Sequence, residues 1–588
     1  MATRAIFFIY DTDSILARVE HFTKALPDLE PLFVVRLPVT AARLRAQGWP
    51  ALLVSDALNW EHLLPYRRSL QEVCGDAAPP ICAQSIDLEE VTRFDQALAR
   101  LNRDDGAAAA AAVQAAEILL RFRSLARYWQ PQLVLVWNGW TLPYSPVKAL
   151  ARARGAFCLC GERGLVPDSL VVDSEGVNAG SYLCGPKWEE IARRPIDDNA
   201  RQIVAEYRRQ YAGERQSVVN VGPAEGPRDL RAELDLPAGA RIILCPAQLD
   251  VDTNPVLFAP HFPTNRSVLE ALLSATQGQP YFILFKAHPE DTVDPMRYRD
   301  LLGERGRVVP KEIGLHDLMD LTDVVVVRNS TVGFEGLLLG KPVIALGRSV
   351  YSHKSLTWEV TNAAELQSAL AQARSGMTEA QEENFQRFLA YFLLRYHYYT
   401  PARTEWQEAA NRVKVAYLQE ALGAAKPEWG RASEEERAFW RDWLAVQDDV
   451  QEVGKRVILR VRESGFALPR NILIVQATND LRVISRLIER LRIDLPDTAI
   501  SFVTDRGAAL PEEARRRITR QYSLKQPLQA AAVLARKWDL VLYSLPNISH
   551  PPRPVYLANR FVRGRTRLIV DDLTRMVALP GSGGWRPA

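Results

Sequence analysis

YFILFKAHPEDTVDP (281–295) and LTDVVVVRNSTVGFEGLLLGKPVIALG (321–347) decide the reading of this chain. Each begins with a short run of apolar and β-branched residues bounded by polar turn formers, the pattern of a strand buried on both faces. The first run ends at Lys286-Ala287-His288-Pro289. The second passes through Arg328-Asn329 into Ser330-Thr331, with a helix beginning near Val332. Ser330 or Thr331 can cap that helix, and the free N–H groups of its first turn form a site for an anion. Glu335 falls in the first turn, within reach of a ribose hydroxyl. Gly340-Lys341-Pro342 then ends the helix and leads back to a strand. Ligands of open α/β sheets bind beyond the carboxyl ends of the strands. Lys286 and His288 are therefore expected at a crevice, with Pro289 fixing the turn after them.

The same alternation extends in both directions. AIFFIY (5–10), LFVVRL (32–37), ALLVS (51–55), LVLVWN (133–138) and RIILCPAQ (241–248) read as further buried strands, and 107–129 as a helix. Strands alternating with helices imply parallel sheets. We expect an N-terminal Rossmann-like block over 1–215 and a second over 216–380, joined through the Pro- and Gly-rich stretch 221–241. Residues 381–465 carry aromatic stripes at helical spacing and read as a helical return segment, with the stripes as packing surface. A third α/β block, of unknown role, occupies 466–588.

Composition excludes several classes. The chain has 588 residues, 47% hydrophobic and 24% charged, as in ordinary globular proteins. With 73 basic and 70 acidic side chains the formal net charge is +3. Nothing in that balance argues for a nucleic-acid partner. Six cysteines are too sparse for a disulfide framework, and Cys158-x-Cys160 lacks a second pair at zinc spacing, so buried thiols are expected. No apolar stretch approaches the ~20 residues of a membrane span, and the expectation is a cytoplasmic protein. P-loop, G-x-G-x-x-G, H-E-x-x-H and G-x-S-x-G motifs do not occur.

K-x-H-P followed by D-V-V-V-x-R-N-S-T-V-G-F-E-G-L-L-L-G-K-P-V resembles the donor-nucleotide domain of bacterial capsule polysaccharide biosynthesis proteins. These are GT-B glycosyltransferases related to the retaining β-Kdo transferases. The resemblance implies a GT-B-like pair of Rossmann domains taking a nucleotide-sugar donor, CMP-Kdo, and a surface polysaccharide or glycolipid acceptor. It implies nucleotide contacts from His288, Ser330, Thr331 and Glu335, with Asn329 beside them and Lys286 or Arg328 offsetting phosphate charge. Cys245-Pro246-Ala247-Gln248-Leu249-Asp250 resembles the P-x-Q-x-D segment that opens the donor half, which makes Gln248 and Asp250 candidate substrate-binding residues. Asn254, His261 and Asn265 fall in or near the following loop. No cofactor is implied. No obligatory metal is expected either, because helix N-termini and basic groups can stabilise a departing phosphate.

In the N-terminal block Asn138-Gly139 stands at a strand end, and CGERGLVPDSLVVDSEGVN (160–178) follows one helix later. Related capsule enzymes use a carboxylate in such a loop to form a glycosyl-enzyme adduct. Glu162 ranks first and Asp173 second for that role, ahead of Glu175, while Asp168, after Pro167, reads as a turn. Where the Kdo transferases carry Glu-Asp-Gly this chain has Glu162-Arg163-Gly164, so an arginine replaces the aspartate. Arg163 is then a candidate for holding an anionic sugar or acceptor. Tyr10-Asp11-Thr12-Asp13 reads as a helix cap. The basic stretch RPVYLANRFVRGRTR (553–567) is a candidate surface for peripheral membrane or assembly-complex contact. Two competing readings share the frame: a nucleotide-sugar epimerase or hydrolase, and a non-catalytic assembly subunit.

Overall fold

The computed structural model describes residues 3–54 (apart from 11, 27 and 37), 86–214, 229–444 (apart from 292 and 293), most of 470–545, and two strands beyond. Asp11, the connector residues 221–228, and 553–562 of the basic stretch lie outside the described residues.

Three sheets are present. The first contains β1 (Thr3–Phe8), β2 (Leu29–Val35), β3 (Ala51–Leu53), β4 (Leu133–Trp137), β5 (Phe157–Arg163) and β6 (Ser169–Asp173). The second contains β7 (Arg241–Pro246), β8 (Tyr281–Lys286), β9 (Gly306–Val309), β10 (Val324–Val327), β11 (Val343–Ala345) and β12 (Trp358–Glu359). The strand β13 (His397–Tyr399) follows in sequence. The third sheet contains β14 (Asn471–Gln476), β15 (Ala499–Thr504), β16 (Arg520–Ser523), β17 (Lys537–Leu545), β18 (Arg563–Asp571) and β19 (Arg575–Ala578).

All three use one winding rule. The orders are β13-β6-β5-β4-β1-β2-β3, β12-β11-β10-β7-β8-β9 and β16-β15-β14-β17-β18-β19. In each, the first strand is central, the next two step outward on one side, and the fourth returns to the other side. The second sheet is parallel throughout. The first and third end in antiparallel strands. This is the doubly wound Rossmann order, and it opens a crevice between the first and fourth strands at their carboxyl ends. The α/β class expected from the alternating runs is the class observed.

The apolar runs are strands because both faces are covered. Successive residues of β8 alternate between two clusters: Phe282 and Leu284 enter one, Tyr281, Ile283 and Phe285 the other. β1 divides likewise, Ile6 and Phe8 from Ala5 and Phe7. Period-two alternation with both faces apolar removes any polar side and produces the continuous runs seen in the sequence. One cluster takes residues from both sheets, including Val134 of β4, Leu244 of β7 and Val325 of β10, and so joins the two halves.

The described part of the return segment, 381–444, departs from a purely helical reading, and 445–465 lie outside the described residues. The helix Glu379–Tyr391 continues as a π-helical turn, Phe392–Tyr396, and then as β13, which pairs antiparallel with β6. His-Tyr-Tyr is β-prone, and its pairing covers a sheet edge that would otherwise be open. The aromatic stripe is packing surface: Phe385, Phe388, Phe392 and Tyr396 are all buried. The helix Asp198–Glu214 packs on the second half, through Arg208 to Glu382 and Tyr211 to Glu335. Cys158, Cys160 and Cys245 are buried free thiols. Among the described residues, no helix is long and apolar enough to cross a membrane.

Candidate functional site

A cleft of about 220 Å³ lies between the first and second sheets, at the carboxyl ends of their strands. From the first half it is lined by Asn138, Glu162, Arg163 and Asn178. From the second it is lined by Gln248, Asp252, Thr253, Asn254, His288, Asn329, Ser330 and Thr331, among others. The floor on the second side is the switch point between β7 and β10. There Gln248 and Asn329 bind each other twice: Gln248 Nε2 donates to Asn329 Oδ1 at 3.0 Å, and Asn329 N donates to Gln248 Oε1 at 3.2 Å. Asn329 Nδ2 then donates to the Asn254 carbonyl at 2.8 Å.

A second buried network underlies the first. Arg328 donates to Asp250 Oδ1 (2.8 Å), Asn265 Oδ1 (3.0 Å) and the carbonyls of Gln248 and Pro263. Asn265 closes the ring by donating to the Gln248 carbonyl at 2.7 Å. The P-x-Q-x-D and R-N motifs are thus two halves of one clamp. They fix the loops after β7 and β10, whose backbone groups would otherwise be buried without partners.

Above that floor the helix Thr331–Leu338 points its N-terminus at the cleft. Ser330 caps it, Oγ accepting from Val332 N at 3.2 Å. The Ser330 carbonyl is held by the Tyr351 hydroxyl at 2.7 Å. That contact requires glycine one turn on, because a Cβ on Gly333 would lie 2.4 Å from the same hydroxyl. His288 Nδ1 accepts from Glu290 N at 3.1 Å, which leaves Nε2 as the donor in the neutral ring. Burial lowers the His288 pKa, against the nearby carboxylates of Glu290, Asp252 and Asp291.

Across the cleft, Glu162 is the penultimate residue of β5. Its Oε2 accepts from Asn138 Nδ2 at 3.2 Å and its Oε1 from Arg163 N at 3.0 Å. Burial pushes this carboxyl above the ordinary carboxylate range; the two hydrogen bonds oppose the shift and Asp252 adds to it. Asn138 is left-handed (φ 61°) and also donates to Thr253 Oγ1 at 3.4 Å, so one side chain bridges the halves. Gly164 is forced by packing: a Cβ there would fall 1.8 Å from Ser169 Oγ and 2.5 Å from the His397 ring.

Several expected site residues are placed elsewhere. Asp173 is fully buried, and its carboxylate accepts from Glu175 N, Gly176 N, Ser181 Oγ, Tyr182 N and Tyr396 Oη. It is a structural hub, saturated and outside the cleft lining, and so is corrected as a nucleophile candidate. Glu335 is 1% exposed and accepts from the Tyr211 hydroxyl at 2.6 Å. It anchors the underside of its helix rather than meeting a ribose in the cleft. Lys286 is buried and donates to the Lys311 carbonyl, and burial brings its pKa down to about 8. Arg328 and Asp250 are consumed in the clamp, and Pro289 is not a lining residue. Asp168 makes a left-handed turn (φ 53°) and pairs with Arg403 at 2.5 Å. His261 is exposed and does not line the cleft.

The structure brings together Asn138, Glu162, Arg163, Gln248, His288, Asn329, Ser330 and Thr331. It adds Asp252, Thr253, Glu290, Ser349 and Tyr351. The strand-end rule applied to PVIALG points to Ser349–Tyr351, which follow β11. Asp252 carries a signal as the cap of the helix Thr253–Phe258, accepting from Asn254 N at 2.9 Å. Among the described residues, no three His, Cys, Asp or Glu side chains converge as metal ligands.

Two facing Rossmann-like sheets with a polar cleft at their switch points define the class: the GT-B-like architecture shared by glycosyltransferases and nucleotide-sugar epimerases. Residues 201–399 match the family described as capsule polysaccharide biosynthesis protein. The resemblance carried by the His-Pro and Arg-Asn-Ser-Thr motifs is therefore borne out over that segment. FixF of Sinorhizobium fredii (strain NBRC 101917 / NGR234) is 26% identical over 267 residues, covering 44% of this chain and 60% of its own length. The chain thus spans about three fifths of that curated relative. Among solved structures, the β-Kdo 2,7 transferase of Thermosulfurimonas dismutans KpsC is similar at 21% identity and TM-score 0.34, covering 51% of this chain and 89% of its own. UDP-GlcNAc 2-epimerase of Neisseria meningitidis, bound to UDP-GlcNAc, is similar at 12% identity and TM-score 0.29, covering 72% and 100%.

Proposed function

We propose that this protein is a glycosyltransferase of bacterial surface-glycan assembly. It moves Kdo from CMP-Kdo onto a polysaccharide or glycolipid acceptor. The observation that carries the reading is the opposition, across one cleft, of the Glu162 carboxylate and a capped helix N-terminus. A developing negative charge on a departing phosphate is stabilised by the N–H groups and dipole at Thr331. His288 Nε2 and the Ser330 and Thr331 hydroxyls supply further donors to the nucleotide. Glu162, its two oxygens held by Asn138 and Arg163 N, faces the anomeric carbon as nucleophile or base.

Arg163 stands where related enzymes carry an aspartate. In this reading it attracts an anionic donor or acceptor, and the carboxylate chemistry rests on Glu162 alone. Because helix N–H groups and His288 serve the phosphate, no metal is needed. Association with the inner membrane face would be peripheral.

The test is a thermal-shift panel with CMP, UDP, GDP, ADP and dTDP, followed by a CMP-Kdo consumption assay. Selective stabilisation by CMP, lost in Ser330→Ala, supports the donor assignment. Stabilisation by UDP or GDP instead discards Kdo. Rapid donor consumption without acceptor replaces transfer by epimerisation or hydrolysis. Silence across the panel favours a non-catalytic assembly subunit.

A further inference from the structure

A second cavity, of about 410 Å³, shares no lining residue with the cleft. It lies among the helix Lys187–Ala192, the end of the helix Glu379–Tyr391, the π-helical turn Phe392–Tyr396 and the helix Glu405–Ala424. Its size is that of a small-molecule site, and π-helical turns occur frequently at functional sites.

Its chemistry is aromatic and cationic. Tyr182, Tyr391 and Tyr417 line it. The first two hydroxyls hydrogen-bond at 3.2 Å, and Tyr417 is 51% exposed. Two of the lining cations are already paired, Lys187 with Glu175 at 3.1 Å and Arg194 with Glu190 at 2.5 Å. Two others are not. Arg395 is exposed and has no carboxylate within ion-pair distance among the described residues. Lys414 is 4% exposed, lies over the Tyr396 ring at 5.5 Å from its centroid, and spends one of its three N–H donors in a hydrogen bond, on the Val172 carbonyl at 3.2 Å.

Burying an ammonium with unspent donors is costly unless an anion or another acceptor completes it. The neighbouring Asp173 attracts the ammonium through space but makes no ion pair with it, and its oxygens are occupied by five other donors. Tyrosine faces suit the apolar face of a sugar ring, and a guanidinium fork matches a carboxylate.

We propose that this cavity is a second saccharide subsite, taking a sugar that carries a carboxylate. The ring lies against the tyrosines and the carboxylate is held by Arg395 and Lys414. The subsite would hold a residue of the acceptor glycan away from the reacting end. It does not depend on which nucleotide the cleft takes, so its failure and that of the donor assignment are read separately.

The experiment is calorimetric titration of the full chain with trigalacturonate, maltotriose and inorganic phosphate. Arg395→Ala and Tyr417→Ala are tested alongside the parent chain. Both side chains are exposed, so an unchanged melting temperature serves as the fold control. Lys414 is buried, and its substitution would unsettle the fold, so the two exposed positions carry the test. Trigalacturonate binding that each variant weakens tenfold or more, with no binding of maltotriose, supports the subsite. Absence of trigalacturonate binding overturns it. So do equal binding of maltotriose, displacement by equimolar phosphate, and binding that neither variant changes.

Discussion

Gln248 and Asn329 lie 81 residues apart and hold each other by two hydrogen bonds, side chain to side chain at 3.0 Å and backbone to side chain at 3.2 Å. The pair spans the switch point between β7 and β10, so the cleft floor is rigid only while both amides are present. Gln248→Leu leaves the Asn329 N–H and side-chain carbonyl buried without partners. Each such group costs about 1–3 kcal/mol. Urea unfolding should show a loss of about 2–6 kcal/mol, and nucleotide-induced stabilisation should fall with it. A variant as stable as the parent would show that the clamp is not what fixes these loops.

Glu162→Gln keeps the shape and the Asn138 contact and removes the charge. Turnover should fall at least a thousandfold, while the nucleotide-induced thermal shift persists. Burial raises the Glu162 pKa. If the ionised form is the reactive one, activity should decline on acidification at a higher pH than for an ordinary carboxylate. Full activity in Glu162→Gln would move the chemistry to another group.

Gly333→Ala places a methyl against the Tyr351 hydroxyl, which holds the Ser330 carbonyl. The variant should lose about 1–3 kcal/mol of stability through overpacking and weaken nucleotide binding. Tyr351→Phe removes the clashing oxygen, so the double variant should recover part of the loss. A non-additive cycle measured by thermal or urea unfolding checks it.

His397 is fully buried, with Nδ1 against the Phe392 carbonyl at 2.8 Å and Nε2 unpartnered, and burial lowers its pKa to about 3. The unfolded chain binds a proton at this residue near pH 6.5, so between pH 6.5 and 3 it holds more protons than the folded chain. Stability must therefore fall as pH falls through that window, by up to about 1.4 kcal/mol per unit from this group. Urea titrations at pH 7, 5.5 and 4.5 should show a shallower decline in His397→Gln than in the parent.

Lys354 of the second half donates to the Leu183 carbonyl of the first at 2.8 Å and lies over the Trp188 ring. Burial brings its pKa down to about 8. Lys354→Met should leave the Leu183 carbonyl unpaired and loosen the two halves. The measurable result is faster limited proteolysis, with each sheet's own core intact.

Much of this protein is local information. Runs such as LVLVW and YFILF are strands because their side chains are buried on both faces of the sheet, and alternation with helices makes the sheets parallel. The cap at Ser330 and the turn at His288-Pro289 depend on neighbours within four residues, and so are legible in the sequence. The clamp motifs are legible as motifs, but not as one object, because Gln248 and Asn329 meet only once β7 and β10 are adjacent.

Side-chain direction is decided by the tertiary structure. Glu162 and Asp173 sit on paired strands, and the sequence ranks them without excluding either. Packing leaves Glu162 at the cleft and gives Asp173 five donors from three segments. Glu335 reads as a ribose contact from its expected place in the first helical turn, yet it is the fifth residue of the helix and Tyr211 meets it on the buried side. The sequence by itself determined most of the buried strands and the strand ends at which the cleft opens, because those follow from periodicity; β13, inside a stretch of helical periodicity, was not among them. Which carboxylate lines the cleft was settled only by long-range partners, because a polar group's place depends on what else can satisfy it.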